Sequence, residues 1–591
     1  LGTCLRRITT QITTANEKGG MTVDPEPNGR PARGDERSRS GEAFRTIFER
    51  TFTYWNGVAR NFHRFASAPA LSSPDEGIRW SYAELGERVA RLAAGLVDAG
   101  VGPGDVVVHQ LTNSPEFVLT YLACHAIAAV SAPINYRLSS GEIAAILDDS
   151  QPKAYIFEAS QQRVALEALQ RARSEVDLLV QVGRSANGAS SGVVFADLAD
   201  HALPERLPGP AERSIYDEVT RLYTSGTTGL PKGVPLTSVA EVLSAHDVIM
   251  HFPLSPDDRT LNMTPWFHRG GLHSGGPCPT LYVGGEVVAL RRFDPAVVLD
   301  WVETLGLTFL IGAPTTLAML AEAQESKPRD LTTLRGIVTM GAPLEREACL
   351  RYQRVLTPRI FNGYGTTEAF WNTFLRPSDL PAKAGTAGRA CTDDDVVVAR
   401  LHDDRLPSPS DLAAKDGSEL GEVAVRSPKA AYAYVGNPEE EALRYRDGWL
   451  FIGDLATWDA DEYLTIVGRR DDMIISGGEN IHPVQVEEVL SAHPGVKDAA
   501  VVGLPDETWG EMVVAYVVRS DPSVDAEALE AFCRDNPSLA GYKRPRAYAF
   551  VDELPLTATG KKQRYVLRAQ TTADDQAGRL HRPTSAGGTR A

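Results

Sequence analysis

Short runs of Val, Ile and Leu alternate with amphipathic stretches along most of the chain, and this alternation constrains the fold more than any other feature. Repeated helix-then-strand units build α/β layers. Trp80–Gly100 (WSYAELGERVARLAAGLVDAG) shows the unit. Ser81 and Glu84 stand at capping-box spacing. Leu85, Val89, Leu92 and Leu96 fall on one helical face, and Gly100 closes the helix before the strand Val106–Gln110. Similar units follow at Phe117–Ile134 and Ile143–Ile156. Phe117–Tyr136 carries no formal charge over 20 residues, near the length of a spanning helix. His125, Pro133 and Asn135 lie in it, so we read a buried helix running into a buried strand and expect no membrane insertion. No fixed-period repeat is visible, which excludes a solenoid or propeller.

The 591 residues carry 60 Lys and Arg against 77 Asp and Glu, a formal charge of −17. Binding of nucleic acid by charge needs a clustered basic surface, so that class is excluded. One segment runs the other way: Gly541–Arg568 holds seven basic residues against Asp552 and Glu553. The six Cys form no CxxC pair, which argues against a disulfide scaffold or zinc site and suits a reducing cytoplasm. Residue 1 is Leu, so Met21 is the expected start. Residues 1–45 and 571–591 are polar, and we expect disordered tails. The run Gly468-Arg469-Arg470-Asp471-Asp472 suits an exposed link between domains, and the alternation after it is enough for a small α+β unit.

Leu222–Val234 (LYTSGTTGLPKGV) makes a poor helix or strand. Its glycines let backbone approach a ligand, and successive N–H groups can form an anion nest. Thr224, Ser225, Thr227 and Thr228 add hydroxyls around Gly226, and Lys232 adds a cation. The chemistry served is polyphosphate binding, without the Gly-Lys-Ser/Thr ending of a Walker A loop. In Asn362–Ala369 (NGYGTTEA), Tyr364 between Gly363 and Gly365 can present its ring to a purine. Glu368 offers hard oxygens that suit Mg²⁺. Asp454 ends an apolar run, where a carboxylate can accept two ribose hydroxyls.

The Leu222–Val234 string resembles the phosphate loop of the adenylate-forming (ANL) superfamily: acyl-CoA synthetases, peptide-synthetase adenylation domains and luciferases. TPWFHRGG (264–271), TMGAPL (339–344), NGYGTTEA (362–369), FIGDL (451–455), GRRDDMIISGGENIHP (468–483) and PLTATGKKQR (555–564) follow in the family's order. The resemblance covers roughly residues 50–568, and the hinge string is most like 4-chlorobenzoate–CoA ligase and the acid–thiol ligases. It implies an α/β protein: a large AMP-binding body (46–470) of layered α/β subdomains with a β-barrel-like part, and a small mobile α+β domain (471–570). It implies ATP, Mg²⁺ and coenzyme A as co-substrates, with a small carboxylic acid, in a cytoplasmic monomer or homodimer. Gly341, Ala342 and Pro343 lie on the adenine side, Thr367 at the α-phosphate, and Arg469 beside Asp454 at the ribose. Lys561 carries the first step, with Lys562 next to it competing for that assignment. Asp471 is the hinge, and Ser476, Gly477, Gly478 and Trp509 meet CoA.

His268, with Arg269 and Gly270, is implied to border the acid. An apolar residue is usual at 269, so we expect Arg269 to meet a polar or anionic group on the acid or on CoA. Phe370 and Trp371 read either as the wall of a short acid pocket or as ordinary core packing. Ala128 stands where a Gly is usual, and Ser238-Val239 where a basic pair often follows the phosphate loop. The expected reaction is activation of an aromatic, alicyclic or fatty acid as acyl-AMP and its transfer to CoA. The alternative is a stand-alone adenylation enzyme loading a carrier-protein thiol.

Overall fold

The computed structural model describes residues 33–583, apart from 185–189, 206–212, 226–230, 403, 432, 477–478, 507–508, 537–538, 540 and 557–559. The helix-then-strand units form where the alternation placed them. Ser81 caps the helix Tyr82–Asp98 through a complete capping box with Glu84, and Val106–Gln110 follows as a fully buried strand. Helix Pro115–Ile127 runs into strand Val130–Pro133, and helix Ser140–Ser150 precedes strand Ala154–Glu158. The uncharged stretch is therefore core. No described helix is long and apolar enough to cross a membrane. Ala128 takes the left-handed cap of Pro115–Ile127 at φ 58°, a conformation that glycine adopts without strain.

Three sheets make the large body. A seven-stranded sheet runs Val193–Val194, Leu178–Val182, Ala154–Glu158, Val106–Gln110, Val130–Pro133, Glu218–Ser225 and Pro231–Thr237, parallel up to its final hairpin. A nine-stranded sheet has at its centre the parallel strands Arg259–Asn262, Phe309–Gly312, Gly336–Met340 and Ile360–Thr366. The part expected to be barrel-like is a five-stranded antiparallel sheet built on Trp449–Trp458. The C-terminal sheet begins at Ile474 and centres on the hairpin Val496–Asp506 and Gly510–Arg519, with its own apolar core.

The structure corrects the tails in part. Helix Arg33–Thr51 occupies the end of the segment taken as polar tail. At the other end, helix Arg564–Gln576 continues past 570, burying Leu567, Thr571 and Asp574. Beyond it Leu580 is buried and His581 bridges to Tyr548. Few apolar residues suffice there because Tyr516 donates to Asp574 at 2.6 Å, a polar anchor that hydropathy does not register. Among the described residues the five cysteines are free and buried.

Candidate active site

Strands Gly336–Met340 and Ile360–Thr366 lie side by side, with Thr339 opposite Asn362 and Met340 opposite Gly363. Beyond the carboxyl ends of such parallel strands lies the usual ligand crevice of an open α/β sheet. Buried polar atoms without a hydrogen-bond partner among the described residues gather here: Thr339 Oγ1, Asn362 Oδ1, Thr366 Oγ1 and His268 Nε2. Buried polar groups are normally satisfied, so this set marks a ligand platform. Glycine is obligatory at its edge. A Cβ on Gly365 would lie 1.5 Å from the Phe370 carbonyl oxygen, and one on Gly363 would lie 2.5 Å from the Trp371 indole nitrogen. Gly341 turns the chain at φ 88° into half-buried Ala342 and exposed Pro343.

Around the platform stand the proposed nucleotide groups. The Tyr364 hydroxyl donates to Asp454 Oδ2 at 2.7 Å, and Arg469 donates to Asp454 Oδ1 at 2.8 Å. A carboxylate has about four acceptor sites, so both oxygens retain room for ligand hydroxyls. Glu368 Oε1 accepts from Tyr434 at 2.7 Å, leaving its second oxygen as a hard donor of the kind magnesium takes. Tyr434 escaped the sequence reading, since it lies 66 residues from its partner in an unremarkable stretch. Lys561 reaches in from the C-terminal region; its Cε would lie 3.8 Å from a Cβ on Gly341. Its side chain keeps solvent access, yet the surrounding protein desolvates it enough to lower its ammonium pKa, with Asp454 opposing and Arg469 adding to the fall. His268 is pushed down to about 3, first by burial and then by the Lys561 charge, so its imidazole is neutral at physiological pH.

In the phosphate string, Thr224 and Lys232 face each other across the hairpin Glu218–Ser225 and Pro231–Thr237. Lys232 is paired with Glu440 at 2.7 Å, a partner not anticipated from sequence. Gly226, Thr227, Thr228, Gly477, Gly478 and the side chains of Ser225 and Asp471 lie outside the described residues. Asp471 sits in the 3-10 turn Arg470–Asp472, just after Arg469. Ser476 pairs with Gly510, next to Trp509, which is 54 % exposed.

On the acid side the structure directs Arg269 inward. Its guanidinium donates to the Thr367 carbonyl, to the Lys429 carbonyl at 2.9 Å and to Ser244 at 3.2 Å, and lies 5.5 Å from the Phe370 ring. Those two carbonyls and the hydroxyl take Nη1 and Nη2, while Nε is buried without a hydrogen-bond partner among the described residues, so of the three nitrogens only Nε is left unpartnered for the polar group expected on the acid or CoA. Burial lowers its pKa to about 10, which leaves it charged at neutral pH. Gly270 lies beside Met340, where a Cβ would be in ordinary contact at 3.4 Å. Phe370 holds φ 62°, unusual for a bulky residue, and stacks on Trp371 at 4.9 Å. Two buried polar networks lie behind. His273 pairs with Glu241 at 2.7 Å, and Lys429 bridges Asp247 at 2.9 Å and Asp394 at 3.0 Å. Each contains a cysteine near the carboxylate and histidine. Glu241 is held below the usual carboxylate range because His273 overrides the upward push of burial.

Comparison with known proteins gives matches over most of the chain. Residues 58–435 match the family model of the AMP-binding enzymes, and residues 485–561 match that of the AMP-binding enzyme C-terminal domain. A feruloyl-CoA synthase of Amycolatopsis is 38% identical over 82% of this chain and 92% of its own. A 4-chlorobenzoate–CoA ligase of Arthrobacter is 33% identical over 86% of this chain and 94% of its own. An anthranilate CoA ligase solved with anthranoyl-AMP superposes with a TM-score of 0.78 at 26% identity, covering 89% of this chain and 98% of that one.

Proposed function

The chain belongs to the AMP-binding enzyme family, and on that premise we propose that it is an ATP-dependent, AMP-forming ligase joining a compact aromatic acid to coenzyme A. The observation that carries the reading is the gathering of Lys561, Glu368, Asp454 and Arg469 around one strand-end platform. In the first half-reaction the acid's carboxylate attacks the α-phosphorus of ATP, and pyrophosphate leaves. Lys561 holds the anionic carboxylate against the α-phosphate and stabilises the negative charge that develops on the phosphoryl oxygens as the O–P bond forms and pyrophosphate departs. Asp454, steadied by Tyr364 and Arg469, holds the ribose hydroxyls. Thr224, Ser225, Gly226, Thr227 and Thr228 cradle the phosphates, and Lys232 fixes the hairpin to Glu440. Glu368 would hold magnesium, which when bound neutralises phosphate charge. Neutral His268 sits against the acid, and its unpartnered Nε2 is the polar atom available there. In the second half-reaction the CoA thiol attacks the acyl carbonyl and AMP departs. The turn at Asp471 is the pivot that exchanges Lys561 for the Ser476 and Trp509 face.

A compact acid follows from the floor of the pocket. Trp371 lies against Gly363 and Phe370 stacks on Trp371 at 4.9 Å, so on this reading two bulky rings shorten the acid pocket. The relatives named for feruloyl, 4-chlorobenzoate and anthranilate support the same class, although a long-chain-fatty-acid–CoA ligase of Mycobacterium tuberculosis is 31% identical over 85% of this chain. A pyrophosphate-release assay over a panel of acids, with and without CoA, tests the proposal. Aromatic acids should give pyrophosphate, and CoA should give sustained AMP turnover. No pyrophosphate with any acid removes the ligase reading. Pyrophosphate without CoA-dependent turnover removes CoA as acceptor.

A further inference from the structure

Lys561 follows Gly560, whose φ of 79° makes a tight turn against Thr315 of the large body. A loop tip of this kind needs a fixed base if its lysine is to meet a phosphate at one place. The base is visible. Gln563 N–H donates to the Pro555 carbonyl at 2.8 Å, and Leu556 bridges to Lys562. Beneath it lies one carboxylate, Glu487 on the helix Pro483–Ser491, only 4 % exposed. Arg564 grips it in bidentate fashion, Nε to Oε1 at 2.9 Å and Nη2 to Oε2 at 2.6 Å. The Val501 N–H donates to Oε1 at 2.8 Å, and Lys562 approaches Oε2 at 3.4 Å. Lys562 also pairs with Asp498 at 2.9 Å and donates to the Ala499 carbonyl. Arg564 extends to Asp472, beside the hinge, at 3.3 Å. From the large body, Glu345 faces the same cluster, and Glu488 adds a further carboxylate.

We propose that Glu487 is a positioning residue: by fixing Lys562 and Arg564 it sets where Lys561 stands, and through Arg564 it ties that loop to the hinge turn. The inference rests on the ligase reading for Lys561. Every member of the brace except Glu345 follows the hinge in sequence, so the brace travels with the small domain. It also favours Lys561 over Lys562 as the lysine at the cleft: Lys562 is paired with Glu487 and Asp498, and the Lys561 side chain lies beside Gly341. Charge-assisted bidentate pairs hold geometry as well as energy. A misplacement of about 1 Å at a reacting group costs on the order of 100-fold in rate.

The test uses full-length E487Q, with K562M as second variant. Pyrophosphate release should fall by about 10- to 100-fold in kcat with KM for ATP within about two-fold, because the loss is one of positioning rather than binding. Thiolation of supplied acyl-AMP should keep its rate, and amide hydrogen exchange across Leu556–Arg564 should quicken. Unchanged adenylation, or equal loss of both half-reactions, overturns the proposal. Should the unmodified protein release no pyrophosphate with any acid, the ligase reading falls by itself. Amide exchange then decides on the brace alone, and exchange unaltered in E487Q overturns it.

Discussion

The strand-end platform of the large body and the lysine loop of the small domain are held by different forces. At the platform, backbone fixes the geometry: parallel register sets Thr339 against Asn362, and Gly365 lies flush against the Phe370 carbonyl. At the loop, charge fixes it: Glu487, Arg564, Lys562 and Asp472. The platform therefore tolerates no added side chain at Gly365, while the loop is held by ion pairs that would travel with it on the proposed hinge. A site that must bind ATP tightly in one step and release AMP in the next needs one part of each kind.

The sharpest break in that comparison is Lys561→Ala. Adenylation should fall by about 10²–10³-fold, as when a preorganised oxyanion donor is removed. Thiolation of supplied acyl-AMP should survive, and stopped half-reactions read the two separately. The lowered Lys561 pKa has a sign that can be checked. Adenylation needs the ammonium, so its rate should drop as pH rises through a value below the ordinary lysine value of about 10.4. Lys561→Arg should flatten that limb. The same shift makes the charged lysine a cost to folding below its folded pKa, a cost that fades as pH approaches the unfolded value.

Next in size is Gly365→Ala, which forces backbone against backbone. It should destabilise the protein by about 3 kcal/mol, the upper range for overpacking, and abolish nucleotide binding. Denaturant titration and ATP binding measure the two losses. A platform that accepts alanine would contradict its description as backbone-fixed. A smaller effect is expected of Tyr364→Phe, which removes one hydrogen bond to a charged acceptor. About 1.5–3 kcal/mol of clamp stabilisation is at stake, read as weaker ATP binding. Smallest is Ala128→Gly, far from both regions. Relief of its left-handed strain should raise stability by about 1 kcal/mol with activity untouched, measured by thermal unfolding.

Much of the platform was legible in the sequence because its residues are local: Gly363, Tyr364, Gly365, Thr367 and Glu368 stand in one string. The helix-strand units were legible for the same reason, since caps and periodicity act within a few residues. What escaped was long-range pairing. Arg269 meets the Lys429 carbonyl 160 positions away, and Arg564 meets Glu487 77 positions away. No local pattern announces that a guanidinium will turn toward the fold's own carbonyls. The left-handed Phe370 was equally silent, for its backbone is imposed by the bulge at Gly365. The C-terminal helix was missed because its anchor, Tyr516 to Asp574, is polar.

The close approach of Gly365 to Phe370 has a consequence for anyone who would retarget the enzyme. Because a Cβ there would run into main-chain oxygen, position 365 offers no way to reshape the turn between the two strands. On the proposed reading, new substrates are admitted by trimming side chains, with Trp371 the first to cut and Arg269 the one to leave alone, since three separate segments converge on its guanidinium.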